Sequence, residues 1–399
     1  MNAKRKIAFV TTARSDYNTM YPVMQLAQKD TSIQAINFCA GMHLVERFGN
    51  TWQQLEQDGI HIDAKVDFHF TEDSDTGLGL ALAQGGKAFT EALSTHRPDI
   101  ICVSGDRIEN LSLFVAATAM RIPIAHMCGG DITEGAFDNQ VRHTMTKLSH
   151  LHFVSMPEHA RRVVQMGEEP WRLTMTGDAA IDVILELEPL SREELFSAAT
   201  IPADKEFCIS TFHPQTLGTD NAVAQYETLL SELEKTEVVP VMIYPNIDPG
   251  FEPLIDMLEA FQAKRPDAVL RKSFDRQVFY TLMRHAKFMV GNSSSGLWEA
   301  PSFELPAINI GNRQAGRRRG ENVIDVCGLD QKTMQGAFLK AQSEEFRNSL
   351  VGMKNPFGDG NAAVKTLKVL KETDLDDRLM IKKFFEIEGH FFSDERLGF

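Results

Sequence analysis

Two hydrophobic spacings alternate along this chain. Short runs rich in β-branched and aromatic residues read as strands: KIAFVTTA (6–13), IQAINFCA (33–40), PDIICVSG (98–105), IPIAHMCGG (122–130), HLHFVS (150–155) and LTMTG (173–177). Between them, apolar residues recur at helical spacing in NTMYPVMQLAQK (18–29), NTWQQLEQDG (50–59), GLGLALAQGGKAFTEALSTH (77–96), LSLFVAATAMR (111–121), NQVRHTMTKLS (139–149) and PEHARRVVQMG (157–167). Near-continuous apolar strands alternating with helices predict βαβ units and a doubly wound parallel sheet.

The rhythm breaks in LELEPLSREELFSAATIPADKEF, which is acidic, carries two prolines and reads as a hinge region. It then restarts, with strands FCISTF (207–212), VVPVMIY (238–244), AVLRKSF (268–274) and KFMVGN (287–292) alternating with helices up to HA at 285–286. The fold class is therefore α/β, with two Rossmann-like domains facing a cleft. The first is expected over residues 1–177 and the second, a nucleotide-binding domain, over 178–373. A last helix, about 374–399, is expected from the spacing in DLDDRLMIKKFFEIEGHFF, packing back on the first domain.

Composition narrows the partners. The 399 residues carry a formal charge of −14, which argues against nucleic acid and against an anionic membrane surface. An anionic small ligand stays compatible, because a local cluster of arginines outweighs the global charge. No apolar run has the length of a membrane span, and MNAKRKIAFV lacks the apolar stretch of a signal peptide, so a cytoplasmic protein is expected. Five scattered cysteines form no CxxC pair and no metal-ligand spacing, and read as free thiols in a reducing compartment. No metal is expected. Neither GxxxxGK[ST] nor GxGxxG after the first strand occurs, so no nucleotide or redox cofactor is expected either.

In open parallel sheets, ligands bind beyond the C-terminal strand ends. Those ends are rich in charge here: Arg14 and Asp16; Asp106, Arg107 and Glu109; Asp131, Glu134, Asp138, Arg142 and His143; His213; Arg313 and Arg317 to Arg319. Any single one is equally a helix cap, a turn former or a solvated loop residue. Their coincidence on one topological edge points to a ligand cleft. VGNSSSGLWEAP, entering a predicted helix, adds three hydroxyls (Ser293, Ser294, Ser295) to the unpaired N–H groups of a helix start. With Arg313 on the next strand end it reads as a diphosphate cradle, and Glu299 as an acceptor for ribose hydroxyls.

Taken in order, TTARSDY, SGDRIE, HMCGGDITEGAFDNQVRHTMTKLSHLHF, STFHPQT, GNSSSGLWEAPSFELPAINIGNRQAGRRRGENVIDV and NPFGDGNA span nearly the whole chain. This set resembles the UDP-N-acetylglucosamine 2-epimerases, in their hydrolysing branch, which feeds sialic-type sugar synthesis. The resemblance implies the two-domain arrangement of B-type glycosyltransferases. It also implies elimination of UDP from UDP-N-acetylglucosamine and hydration of the unsaturated sugar to N-acetylmannosamine. On matching positions it implies Asp106, Asp131, Asp138 and His213 as catalytic residues. Arg14, Arg107, His213, Ser293, Ser294, Ser295, Glu299 and Arg313 would hold the UDP-sugar, and a homodimer or homotetramer is expected. Two positions depart from the family pattern: Asp131 stands where glutamate is usual, and Asn139 where a second acid is common. Both lie in the sugar half of the cleft, so a 2,4-diacetamido-2,4,6-trideoxy sugar, on UDP or GDP, is the alternative substrate. A glycosyltransferase, a catalytically inert sugar-nucleotide binder and a non-hydrolysing epimerase are the other readings of the same motifs.

Overall fold

A computed structural model of the chain describes residues 4–46, 49–68, 74–134, 137–202, 205–214, 221–245 and 250–387. Its first domain contains β1 (Arg5–Thr11), α1 (Arg14–Lys29), β2 (Ile33–Ala40), α2 (Trp52–Gln57), β3 (Ala64–Val66), α3 (Asp75–His96) and β4 (Ile100–Ser104). It continues through α4 (Asn110–Ala119), β5 (Ile124–Met127), α5 (Asp138–Leu148), β6 (Leu151–Val154), α6 (Pro157–Gln165) and β7 (Leu173–Met175). The seven strands lie in the order β3-β2-β1-β4-β5-β6-β7, with every pairing parallel. Helices cover both faces, so the strands are apolar on both: Ile7, Phe9, Ile100 and Cys102 belong to one core, and Ala8, Val10, Ile101 and Val103 to the other.

The second domain begins with α7 (Ala179–Glu186) and α8 (Arg192–Ala199), and its strands are β8 (Phe207–Thr211), β9 (Val239–Ile243), β10 (Val269–Arg271), β11 (Met289–Gly291), β12 (Ala307–Ile310) and β13 (Val323–Val326). Between and after them come α9 (Ala222–Lys235), α10 (Glu252–Lys264), α11 (Arg276–His285), α12 (Ser295–Trp298), α13 (Gln331–Gln342) and α14 (Glu344–Ser349). The sheet order is β10-β9-β8-β11-β12-β13, again all parallel. The expected hinge region holds the end of α7 and all of α8, and its Leu195 and Ala199 are buried in the second core with Ile181, Val183 and Ile184 just before it.

The chain then returns. α15 (Ala362–Glu372), expected within the second domain, buries Ala362, Ala363, Leu367 and Leu370 in the core of the first. Arg5 takes its last carbonyls, donating to Leu370, Lys371 and Thr373 O at 2.7–2.8 Å. The two crossings run side by side: Asp178 N donates to Phe357 O at 2.8 Å, and the Asp182 carboxylate accepts from Ala362 and Ala363 N at 3.0 and 2.7 Å.

The expected C-terminal helix is corrected to one turn, α16 (Asp377–Met380), with no helix over 381–387; residues 388–399 lie outside the described ones. Buried Arg172 stops it by drawing the carbonyls of Arg378, Leu379 and Ile381, and Phe385 N pairs instead with Gly167 O at 2.9 Å. The segment does lie on the first domain, where Lys382 meets buried Glu168 at 2.8 Å.

Strand order reverses between β1 and β4 in one sheet and between β8 and β11 in the other. At such points the adjoining loops splay apart and leave a crevice. The two crevices face each other.

Candidate active site

A cavity of about 570 Å³ fills the space between the strand ends of the two domains. Its first-domain wall is built on the loops after β1, β4 and β5. The β1 loop is pinned by Asp16, whose carboxylate accepts from Thr12 N, Thr12 Oγ1 and Ala13 N at 2.9 Å and from Thr11 Oγ1 at 2.8 Å. Burial still pushes Asp16 above its ordinary value, and these hydrogen bonds oppose it. The loop presents Arg14, which donates across the cleft to Phe274 O at 2.8 Å.

The β4 loop presents Asp106 and Arg107. Arg107 pairs with Glu109 at 2.7 Å and touches Met42 Sδ at 2.9 Å. The β5 loop makes its turn through Cys128 (φ 65°) and Gly130 (φ 80°), both left-handed. At Gly130 a Cβ would stand 2.3 Å from His159 O, so only glycine fits. This turn delivers Asp131, buried, to within 3.4 Å of His159 Nε2.

Two arginines fix the acids. Fully buried Arg142 pairs with Asp106 and donates to Asp131 O at 3.0 Å and Thr133 Oγ1 at 2.8 Å. Arg317 arrives from the second domain, with Nε 2.8 Å from Asp131 Oδ2 and Nη2 3.6 Å from Asp106 Oδ2. Burial alone would push both carboxyls up. For Asp106, Arg142 and Arg317 outweigh it; for Asp131, Arg317, His159 and Arg142 do, so Asp106 is held below its ordinary value and Asp131 well below it. At neutral pH the site holds two carboxylate anions between two fixed cations.

The second-domain wall is the serine loop. Gly291 turns it at φ 141°, where a Cβ would stand 1.9 Å from Thr211 O. Asn292 clamps it to the β8 loop, accepting from His213 N at 2.7 Å and donating to His213 O at 2.9 Å. Ser293, Ser294 and Ser295 then line the cavity with Arg313, which donates to Asn292 O at 3.3 Å. The helix they enter lasts one turn, so the hydroxyls and Arg313, more than a helix dipole, make this wall anion-receptive. His213 is held neutral, pushed far down by burial and by Arg313 and Arg107.

Thirteen of the residues singled out from sequence line this one cavity: Arg14, Asp16, Asp106, Arg107, Asp131, Arg142, His213, Ser293, Ser294, Ser295, Glu299, Arg313 and Arg317. Asp138 does not. It sits half-buried in the first turn of α5, where its charge acts on Arg142. Asn139 accepts from Thr133 N at 2.9 Å, which shapes the Asp131 loop.

Three contributors have roles that the sequence does not assign. Arg317 belongs to a run of three arginines that reads as loop; Arg318 is indeed exposed, whereas Arg317 is the ion-pair bridge. Asp178, at the first crossing, accepts from Trp298 Nε1, and Trp298 stacks on Phe357 with centroids 3.9 Å apart. Asp178 and burial together push Glu299 up to about 7, burial being the larger cause. Arg276 reaches Asp58 of the first domain at 3.2 Å. Only clustering in space assigns these roles. Among the described residues, no group of His, Cys, Asp and Glu is arranged to hold a metal, and no helix is long and apolar enough to cross a membrane.

Comparison with known proteins agrees with this architecture. The family model described as UDP-N-acetylglucosamine 2-epimerase matches residues 25–371. A GDP/UDP-N,N'-diacetylbacillosamine 2-epimerase (hydrolyzing) of Campylobacter jejuni is 34% identical over 390 residues, covering 96% of this chain and all of that one. The polysialic acid biosynthesis protein P7 of Escherichia coli is 30% identical over 385 residues, covering 96% of this chain and 98% of its own. The crystal structure of UDP-GlcNAc 2-epimerase from Neisseria meningitidis bound to UDP-GlcNAc superposes with a TM-score of 0.77 at 18% identity, covering 92% of this chain and all of that one, and shares the fold. The chain therefore belongs to the UDP-N-acetylglucosamine 2-epimerase family, among its hydrolysing members.

Proposed function

We propose that the protein is a hydrolysing 2-epimerase whose substrate is a nucleoside diphosphate 2,4-diacetamido-2,4,6-trideoxy sugar, released as the free 2-epimer. The observation that carries the reaction is the pair of anionic carboxylates, Asp106 and Asp131, bracketing Arg317 in the cleft opposite the serine loop. The observation that favours this sugar is the name of the Campylobacter jejuni relative, together with that of the UDP-N,N'-diacetylbacillosamine 2-epimerase (hydrolyzing) of Legionella pneumophila, 29% identical over 378 residues.

The second-domain wall, with Arg14 reaching over from the first domain, holds the nucleotide. Ser293, Ser294, Ser295, Arg14 and Arg313 bind the diphosphate beside neutral His213, and Glu299 accepts from ribose hydroxyls. That places the sugar's C1 at the serine loop and C2 at the first-domain carboxylates. In the first step a carboxylate takes the C2 proton while the C1–O bond breaks. The C2–H electron pair becomes the C1=C2 bond, and the C1–O pair leaves with the diphosphate, whose developing charge Arg14 and Arg313 stabilise. In the second step water adds across C1=C2. The carboxylate on the other face takes a proton from the water whose oxygen bonds to C1 and delivers a proton to C2 on that face, while the first carboxylate returns the C2 proton it took to solvent. Inversion needs proton-handling groups on both faces, and Asp106 and Asp131 are the two. Asp138 acts through Arg142 rather than on the sugar.

UDP-N-acetylglucosamine is the second reading, favoured by a UDP-N-acetylglucosamine 2-epimerase of Neisseria meningitidis serogroup B that is 29% identical over 322 residues. The test is product identification by NMR after incubation with UDP- and GDP-diacetamido sugars and with UDP-N-acetylglucosamine. Free nucleoside diphosphate plus a 2-epimeric free sugar supports the reaction. Return of a sugar nucleotide, or no turnover without an acceptor, overturns it.

A further inference from the structure

On the first-domain wall a chain of hydrogen bonds runs from the buried Asp16 loop to the cavity. Thr11 has one proton to give, and its own loop offers two acceptors, Asp16 Oδ1 at 2.8 Å and Ala13 O at 3.2 Å. Its oxygen therefore accepts from the next partner, His43 Nε2, at 2.9 Å. The Ala13 carbonyl also favours a proton on the His43 ring. His43 is fully buried and pushed down to about 3, first by burial, so it is neutral and carries a single ring proton. With that proton on Nε2, Nδ1 is an acceptor. Thr51 Oγ1, 2.7 Å away, must donate to it.

Thr51 lines the cavity, and its only proton points away from it. It stands at the N-cap position of α2 yet makes no cap bond with its side chain, so among the described residues His43 is what holds its hydroxyl. The oxygen left for a ligand is an acceptor. Its neighbour Gln54, also on the cavity wall, donates its amide to Asp58 at 2.9 Å, which biases a second group the same way. Met42, beside Arg107, adds an apolar surface to the cavity lining.

We propose that Thr51, polarised through His43, receives the substituent on C4 of the sugar and selects an amide N–H there over a hydroxyl. The inference rests on the proposed 2-epimerase reaction. With C1 at the serine loop and C2 at the carboxylates, C4 lies across the ring from C1 and faces this wall. An acetamido nitrogen presents a donor alone, matching an acceptor wall. A hydroxyl brings lone pairs as well, and Arg107, the donor beside Met42, is already paired with Glu109.

The experiment compares Thr51→Val and Thr51→Ser with the wild type, using UDP-2,4-diacetamido-2,4,6-trideoxyglucose and UDP-N-acetylglucosamine. Nucleoside diphosphate release gives kcat and KM, and calorimetry gives affinity for both sugar nucleotides and for UDP alone. Thr51→Val should lower kcat/KM for the diacetamido substrate roughly tenfold, mostly through KM, with a markedly smaller change for UDP-N-acetylglucosamine. Thr51→Ser keeps the hydroxyl and should keep the preference, and UDP affinity should stay constant in both variants. Equal effects on the two substrates, no effect on either, or Thr51→Ser behaving like Thr51→Val would overturn the role of Thr51. A wild-type protein that releases nucleoside diphosphate from neither overturns the proposed reaction instead, and the ratio of calorimetric affinities still decides Thr51: unchanged by Thr51→Val, it overturns this inference too.

Discussion

Arg317 Nε lies 2.8 Å from Asp131 Oδ2, an ion pair that spans the cleft from the loop after β12 to the loop after β5. One residue thus sets the charge of the acid pair and joins the two domains at that point. Because Arg317 lowers both carboxyls, activity that needs them ionised is present above their folded values and lost as pH falls through them. Removing the cation raises those values. Arg317→Ala should move the acidic limb of kcat upward by about one pH unit or more, alongside a lower kcat. A pH–rate profile with its acidic limb in place would show that Arg317 does not tune the carboxylates.

The diphosphate cradle predicts an order of effects. Arg313→Ala removes a charge-assisted pair and should weaken UDP binding by ~1.5–3 kcal/mol, whereas Ser293→Ala should cost less. Calorimetry reads both. Unchanged affinity in the arginine variant means that the diphosphate sits elsewhere.

The acids separate by position. Asp106→Asn and Asp131→Asn keep the shape and remove the proton acceptor, so each should lose most turnover while still binding UDP. Asp138 acts on Arg142, so Asp138→Asn should retain more activity than either. Equal losses in all three would return Asp138 to the reacting atoms.

Heavy water tests the path. Elimination removes the C2 hydrogen and hydration returns one from solvent, so the free sugar should carry deuterium at C2, with one equivalent of nucleoside diphosphate. A product that keeps its original C2 hydrogen is incompatible with elimination, and one that is not epimerised points to simple glycoside hydrolysis.

Glu299, pushed up to about 7 by burial and by Asp178, should make nucleotide binding pH-dependent. Ionisation creates the better acceptor for ribose hydroxyls, so UDP affinity should rise as pH increases through that value, and Glu299→Gln should flatten the profile. A wild-type profile already flat over roughly a unit on either side of it excludes this role.

Strand ends are the legible part of the molecule. Parallel strands covered on both faces leave a continuous apolar signature, and the polar residues just past each one are forced to the same edge; Asp106, Asp131, His213 and Arg313 are found that way. Contacts made across the cleft leave no local trace. Arg317 looks like Arg318 in sequence, although one bridges two carboxylates and the other is exposed. Thr51 and His43 are likewise ordinary residues until the fold sets a hydroxyl against a buried ring nitrogen. The last helix fails for a related reason: its spacing is helical, but Arg172, far away in sequence, draws off the carbonyls that would have continued it.

The paired crossings carry a mechanical consequence. A single linker would let the second domain swivel freely about the first. Here two covalent tethers leave the first domain next to each other and are riveted together, Asp178 N to Phe357 O and Asp182 to the start of α15. Such a pair resists torsion, so the motion left to the domains is a jaw-like opening about one axis. That axis passes beside Asp178 and Trp298, and any widening of the jaw must break the contacts by which Arg14 and Arg276 hold the two domains together.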